Sequence, residues 1–274
     1  MGKDLYDALS QTRRCWVESA ANENISDEVL RETDLIITVG GDGTILRSAR
    51  IAVPHKVPIL GINMGRLGFM TELRAKTAFD RLTTYLEGSG WLEERSMLQA
   101  QIETHPSLSM VTTNRTSYHA LNDVVLGRGA AARLITVKAS VDGADLTSYR
   151  SDAVVICTAT GSTGYNLSAG GPILHPQAEE MILKPVAPHV GLATAMVLPS
   201  SSTIVLTVES DDSAILSVDG YQDLLVEQGQ AVKIQSSPDK ALFLREGLPE
   251  DFYANLTRRL GFDAGQGSGR AVFY

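Results

Sequence analysis

The sequence predicts an α/β amino-terminal domain built on a parallel sheet, followed by a β-rich, sandwich-like carboxy-terminal domain. Three observations carry this. Short β-branched apolar runs, Leu35–Val39 and Val57–Ile62, alternate with helical patterns in the first third of the chain. Each of these runs leads into a glycine-bearing loop, as expected where ligand loops gather at the carboxyl ends of parallel strands. Beyond about Trp91 the helical patterns give way to strand-like runs.

The elements follow in order. Residues 3–21 have an amphipathic helical pattern. Leu35–Val39 reads as a buried strand, and Ile45–Ala52 as the helix after its glycine turn. Val57–Ile62 is the second strand, followed by Asn63-Met64-Gly65-Arg66-Leu67-Gly68-Phe69. Residues 75–87 form a helix with Ala78, Leu82 and Leu86 on one face. Strands are predicted at 97–104, 118–126, 133–141 and 153–157, then at 203–209, 214–218, 224–234 and 241–245. Asp142-Gly143 marks a hairpin turn, and one short helix starts near Ser162. Pro249–Leu260 is a closing helix, with Ala254, Leu256 and Leu260 as its apolar face and Gly261 as its stop. The glycine-rich stretch Gly265–Gly269 is expected to be mobile. These patterns divide the chain into an α/β domain at 1–95 and a β-rich domain at 96–245, with residues 246–274 returning to pack on the first.

Composition excludes several classes. The 274 residues are 43% hydrophobic, enough for a true core, and the formal net charge of −8 argues against a nucleic-acid or anionic-membrane binder. Cys15 and Cys157 are far apart and read as free thiols, Cys157 inside an apolar run. No signal-peptide or membrane-spanning pattern is visible, which points to the cytoplasm. The five histidines show neither metal-pair nor triad spacing, and His55 and His105 sit beside prolines in loops. Serine-hydrolase, zinc-protease and P-loop signatures are missing.

Two glycine clusters carry the chemistry. The first, Val39-Gly40-Gly41-Asp42-Gly43-Thr44, has backbone N–H groups suited to phosphate at Gly40, Gly41 and Thr44. It has no lysine and carries an acid instead. An acid beside phosphate is costly unless it binds a metal or takes a proton, so Asp42 reads as a base; a plain Asp-Gly turn is the bland alternative. The second cluster runs Thr158-Ala159-Thr160-Gly161-Ser162-Thr163-Gly164-Tyr165-Asn166-Leu167-Ser168-Ala169-Gly170-Gly171. Its hydroxyls and glycine N–H groups, at Thr160, Gly161 and Ser162 above all, suit phosphate or ribose oxygens, while Ser162 or Thr163 could instead cap the short helix. Tyr165 either stacks on a base or packs as a helix aromatic. Asn122-Asp123 breaks the alternation of its strand, as a bulge or as ligand contacts. Arg150-Ser151-Asp152 precedes the second cluster, and Asp219-Gly220 is a further turn-like pair.

Taken together, these motifs resemble the NAD kinases. The matching pieces are Gly40–Thr44, Gly61-Ile62-Asn63-Met64-Gly65-Arg66-Leu67-Gly68-Phe69-Met70-Thr71-Glu72, Leu121–Leu126, Arg150–Asp152, Thr160–Pro172 and Val218–Gly220, spread from about residue 33 to about 262. The resemblance implies transfer of the ATP γ-phosphoryl to the 2′-hydroxyl of the adenosine ribose of NAD, giving NADP. It implies ATP, or polyphosphate in its place, as donor, a divalent metal such as Mg²⁺, a homodimer or homotetramer, and a site in the cleft between the two domains. Asp42 matches the family's general base. Gly43 and Arg47 match positions near the nucleotide, Arg47 one helical turn past the loop. Asn122 and Asp123 match the pair that holds ribose or adenine. Arg133, Arg150, Asp152 and the run Thr163, Gly164, Tyr165, Asn166, Leu167, Ser168 match further dinucleotide contacts, as do Ala187 and Tyr221.

The chain also departs from the family pattern. Asp123 stands where glutamate is common, Ala153 and Ala159 where glycine and proline are, Gly164 for alanine and Tyr221 for glutamine. An apolar strand usually precedes the first helix in the family, and a sheet lacking it would have an exposed edge. Two other readings share some of these motifs. Lipid and sugar kinases carry similar Gly-Gly-Asp-Gly loops, but the Asn122-Asp123 and Thr160–Tyr165 elements argue against them. The altered second cluster is the motive for an inactive NAD(P)-binding sensor.

Overall fold

The computed structural model describes residues 1–22, 24–65, 68–103, 116–129 and 133–260. Arg66, Leu67, His105, Gly261 and the Gly265–Gly269 stretch lie outside them. In chain order the elements are α1 (Gly2–Leu9), α2 (Asp27–Arg31), β1 (Ile36–Gly40), α3 (Asp42–Ala52), β2 (Ile59–Asn63), β3 (Leu73–Arg74), α4 (Ala75–Leu86) and β4 (Trp91–Glu103). They continue as β5 (Ser117–Ala120), β6 (Asp123–Arg128), β7 (Ile135–Val141), β8 (Ala144–Ser151), β9 (Ala153–Cys157), α5 (Tyr165–Ser168), β10 (Met181–Val186) and β11 (Met196–Leu198). The last are β12 (Thr203–Val208), β13 (Ala214–Val218), β14 (Gln222–Val226), β15 (Ala231–Arg245) and α6 (Asp251–Arg259).

The chain divides into two compact units, Met1–Glu94 with Ala241–Tyr274, and Arg95–Lys240. In the first unit β1 pairs with β2 and β2 with β3, all parallel, and Phe243 near the end of β15 adds to β2 in parallel register at Ile59. All five residues of β2 are buried, as a central parallel strand requires. Leu60, Ile62 and Leu73 pack with Ala78, Leu82 and Tyr85 of α4 and Leu5 of α1. β1 stands at the end of its sheet's strand order.

The second unit is a β-sandwich. One sheet runs β11-β10-β9-β6-β13-β14; the other face is made by β15-β12-β7-β8. Alternating residues such as Val137, Ala139, Ile204 and Leu206 meet Val124, Leu126, Val154 and Leu216 in one buried cluster. β9 is buried at every position because its other face packs Val155 and Cys157 on Ile182. The Asp142-Gly143 turn has φ of 52° and 82°, the doubly left-handed geometry that joins β7 tightly to β8.

Several boundaries differ from the sequence expectation for local reasons. The amphipathic pattern at 3–21 yields a helix only to Leu9, whose carbonyl is taken by the Thr12 and Arg13 amides in a turn, with the Ser10 hydroxyl bonded to the Asp7 carbonyl. The strand expected over 118–126 stops at Ala120 and resumes at Asp123. The one expected over 224–234 is cut by a turn at Glu227–Gln230, with Gly229 at φ 80°. α3 begins three residues before the expected start, so Asp42 and Gly43 lie in its first turn.

Candidate functional site

In the first unit, β1 delivers the chain to Gly40, and α3 begins at once on the extended residue Gly41. The Thr44 and Ile45 amides donate to the Gly41 carbonyl at 3.0 and 3.3 Å, closing the first turn. Thr44 folds back over Gly40 so closely that a Cβ there would lie 2.1 Å from its Oγ1; only glycine fits. By contrast, nothing lies within 4 Å of where a Cβ would stand on Gly41 or Gly43. The backbone of this helix start is therefore open to a ligand, on the end of the helix that favours an anion.

Asp42 is held from outside its own loop. The Phe69 amide donates to its Oδ2 at 2.8 Å and the Met70 amide to its Oδ1 at 3.1 Å. A side chain on Gly68 would sit 2.1 Å from that Oδ1, so the glycine of the second motif is needed for this contact. Beyond Met70, the Glu72 carboxylate takes the Tyr85 hydroxyl, Arg245 and the Glu246 amide. Burial and that carboxylate push the Tyr85 phenol well above its usual range. A cavity of about 1090 Å³ borders Thr44 and Arg47 but not Asp42.

In the second unit, the break between β5 and β6 is the centre of the arrangement. Asp219, at φ 52°, accepts the amides of Leu121, Asn122 and Asp123 at 2.8, 2.7 and 3.1 Å. Thr158 then ties the same turn to the second cluster: its Oγ1 donates to the Leu121 carbonyl at 2.6 Å and accepts the Gly161 amide at 3.0 Å. Gly161 lies so close that a Cβ would be 2.0 Å from the Asn122 carbonyl oxygen. Asn122 thus lies in the gripped bend between β5 and β6, and Asp123 opens β6 opposite Cys157, with both residues beside Gly161–Gly164. A Cβ on Gly164 would lie 3.8 Å from Asn122 Nδ2 and 4.0 Å from Asp123 Oδ2.

Asp123 is 7% exposed, and burial together with the nearby Asp219 charge pushes its carboxyl pKa up to about 7. Burial, and then Asp123, push the Cys157 thiol far up as well. Tyr165 is 42% exposed; burial of its hydroxyl end, then Asp152 and Asp123, raise its phenol. Asp152 pairs with Arg128 at 3.1 Å. Three buried oxygens in this region, Asn122 Oδ1, Thr160 Oγ1 and Asn166 Oδ1, make no hydrogen bond among the described residues. Unsatisfied buried acceptors and hydroxyls are costly and suit a ligand that supplies partners.

The remaining sequence candidates divide. Ser162 and Asn166 are buried and already bonded: Ser162 Oγ donates to the Ala159 carbonyl and accepts the Leu174 amide, and Asn166 Nδ2 donates to the Ser162 and Pro172 carbonyls. Ser162 shapes the cluster from behind and does not cap the short helix, whereas Asn166 keeps a buried Oδ1 without a hydrogen bond. Thr163 bonds the Thr160 carbonyl, with Leu167 partly buried and Ser168 exposed in α5. Arg150 bridges by its backbone to Val190 near the exposed Ala187, which has φ 44°. Tyr221 is exposed after the Asp219 turn. Arg133 forms a two-pronged, solvent-facing pair with Asp212 at 2.8 and 3.0 Å. Arg47 is exposed on α3. Sequence reasoning passed over Asp219, Thr158 and Arg128 as site residues. For Asp219 the signal was present in the Asp-Gly pair that ends an apolar strand. Among the described residues no group of three or more His, Cys, Asp or Glu is gathered for a metal. Magnesium commonly rides on nucleotide phosphates with one or two carboxylates beside it.

Comparison with known proteins gives a consistent family. Residues 4–89 match the ATP-NAD kinase N-terminal domain model and residues 121–246 the ATP-NAD kinase C-terminal domain model. An NAD kinase of Dehalococcoides mccartyi (strain CBDB1) is 39% identical over 245 residues, covering 89% of this chain and 84% of its own. One from Chloroflexus aurantiacus is 36% identical over 233 residues, 85% of this chain and 82% of its own. Among solved structures, yeast NADH kinase complexed with NADH superposes with a TM-score of 0.79 at 25% identity, over 97% of this chain and 79% of that one. An NAD kinase from Archaeoglobus fulgidus in complex with ATP gives 0.73 at 28% identity, over 94% and 93%.

Proposed function

The chain belongs to the ATP-NAD kinase family of phosphotransferases, and from that premise we propose that it moves the γ-phosphoryl of ATP to the 2′-hydroxyl of the adenosine ribose of NAD, with Asp42 as the general base. The observation that supports this most directly is the Asp42 carboxylate. It stands in the first turn of α3 beside the open backbone of Gly41 and Gly43, and two foreign amides fix its orientation. A carboxylate so placed takes the proton of an attacking hydroxyl, while helix-start amides face phosphate oxygens. Mg²⁺ would enter with ATP and supply charge neutralisation for the phosphates.

The second unit supplies dinucleotide recognition in this reading. Asn122 Oδ1, Thr160 Oγ1 and Asn166 Oδ1 have hydrogen bonds left to make, and Asp123, Gly164 and Tyr165 lie in the same turn and cluster. Asp219 and Thr158 do not touch the ligand; they hold the turn that does. Arg128 and Asp152 form the charged border beside Tyr165.

The test is an assay of the purified chain with NAD and NADH as acceptors, crossed with ATP and polyphosphate as donors. Product is read with an enzyme that accepts only the 2′-phosphorylated dinucleotide. Formation of NADP from NAD and ATP is expected. Labelled phosphate appearing on a lipid or sugar instead would overturn the reading, and NADP binding without turnover would favour a sensor.

A further inference from the structure

Phe69 and Met70 hold Asp42 by their amides, and the carbonyls of the same two residues are gripped as well. Arg259, in the last turn of α6, donates from Nη1 to the Phe69 carbonyl at 3.1 Å, and its guanidinium lies over the Phe69 ring at 5.5 Å. Arg245 donates from Nη1 to the Met70 carbonyl at 2.9 Å. The Phe69 carbonyl and the Met70 amide belong to one peptide plane. A cation on the carbonyl polarises the amide at the other end and strengthens its bond to an anion. The plane therefore has a guanidinium on one edge and the Asp42 carboxylate on the other.

The two arginines differ in what else they do. Arg245 is buried with Glu93 at 2.8 Å, pairs with the part-buried Glu72 at 3.1 Å and stacks over Phe243, so its loss would strand the buried Glu93 carboxylate. Arg259 is half-exposed, and the chain leading into α6 is anchored separately, by the Trp91 indole on the Gly247 carbonyl and by the Glu72 carboxylate on the Gly247 amide. A cation at a helix end can also merely stabilise that helix, which would leave Asp42 unaffected.

We propose that Arg259 is a positioning residue for Asp42, fixing the Phe69–Met70 peptide whose amide aims the carboxylate. This rests on the reading of Asp42 as the base. The experiment combines Arg259→Ala, Arg259→Lys and Asp42→Asn with two readouts, steady-state NADP formation and hydrogen exchange of the Met70 amide. A catalytic group displaced by about 1 Å can cost up to about 100-fold in rate. In Arg259→Ala, kcat is expected to fall about 10-fold or more, with KM for NAD and ATP within about twofold. Met70 exchange should quicken about 10-fold while the thermal midpoint stays within about 4 °C. Lysine, which still reaches a carbonyl but loses the planar stack, should restore part of both. In the Asp42→Asn background the alanine change should cost less than about twofold further, since a residue acting only through Asp42 has nothing left to act on.

A folded Arg259→Ala with unchanged kcat overturns the proposal. So does an equal loss in both backgrounds, or unaltered Met70 exchange. The exchange arm needs no turnover. Failure of the wild-type chain to make NADP would thus sink the kinase reading alone, and the Met70 amide would still report on the clamp.

Discussion

Asp42 and Asp219 sit in the same dipeptide, Asp-Gly, each just after a strand, β1 or β13. Both carboxylates collect backbone amides from a distant segment: Asp42 takes those of Phe69 and Met70, Asp219 those of Leu121, Asn122 and Asp123. The surroundings separate their roles. Asp219 adopts φ 52° in a tight turn between β13 and β14, and its three amide bonds come close to filling the four acceptor positions of a carboxylate. Asp42 begins an eleven-residue helix, spends two positions on amides, and faces backbone with no side-chain cover at Gly41 and Gly43. A carboxylate that is nearly saturated holds a loop; one with lone pairs to spare beside an open helix start can accept a proton.

Substitution at the two acids should therefore break different things. Asp42→Asn keeps an acceptor for one of the two amides but cannot take a proton. General bases are worth roughly 100- to 10,000-fold, so kcat should drop about 1,000-fold while unfolding free energy changes by no more than about 1 kcal/mol. Steady-state kinetics and urea unfolding read both, and a fully active, folded Asp42→Asn ends the base assignment. Asp219→Ala should do the reverse. Leaving three amides without their acceptor at about 1 kcal/mol or more each predicts a loss of about 3 kcal/mol of stability. Residual kcat well below the folding midpoint should far exceed that of Asp42→Asn. A stability loss under about 1 kcal/mol would show that the 121–123 turn does not depend on this carboxylate.

The same pair shows what the sequence could disclose. The two-unit plan was legible because β9 is an unbroken apolar run, because β2 is apolar up to its closing Asn63, and because β7 and β12 alternate. The Asp42 loop was legible because an acid among glycines is chemically odd where phosphate is expected. The Asp219-Gly220 pair was visible but its grip on 121–123 was not, since an Asp-Gly turn after a strand is common and its amide donors lie 96–98 residues away. For the same reason the grip on Phe69 and Met70 from Arg259 and Arg245 was invisible; the separations are 190 and 175 residues, and nothing local marks them. The early end of α1 was missed because periodicity persists past Leu9, whereas the hydroxyls of Ser10 and Thr12 turn back to helix carbonyls.

A smaller effect sharpens the comparison through Asp123, which lies beside the saturated acid rather than the open one. Its pKa is pushed up to about 7 from 3.8, first by burial and then by Asp219; Cys157, held neutral, and Tyr165 are the other titratable groups facing it. The sign follows from the two states. In the unfolded chain the carboxyl ionises near pH 4, whereas in the fold it keeps its proton until about pH 7. Its contribution to stability is thus full below about pH 4, declines as pH rises toward 7, and is flat above. The whole shift sets an upper bound of about 4 kcal/mol, and relaxation should leave about 2. Asp123→Asn removes the titration. Its unfolding free energy relative to wild type should rise by about 2 kcal/mol between pH 4.5 and pH 8. In an Asp219→Asn background, where one of the two causes is gone, that rise should shrink. A gap between Asp123→Asn and wild type that stays constant across this range would mean that the carboxyl is ionised throughout, and that the charge of Asp219 is screened from its neighbour.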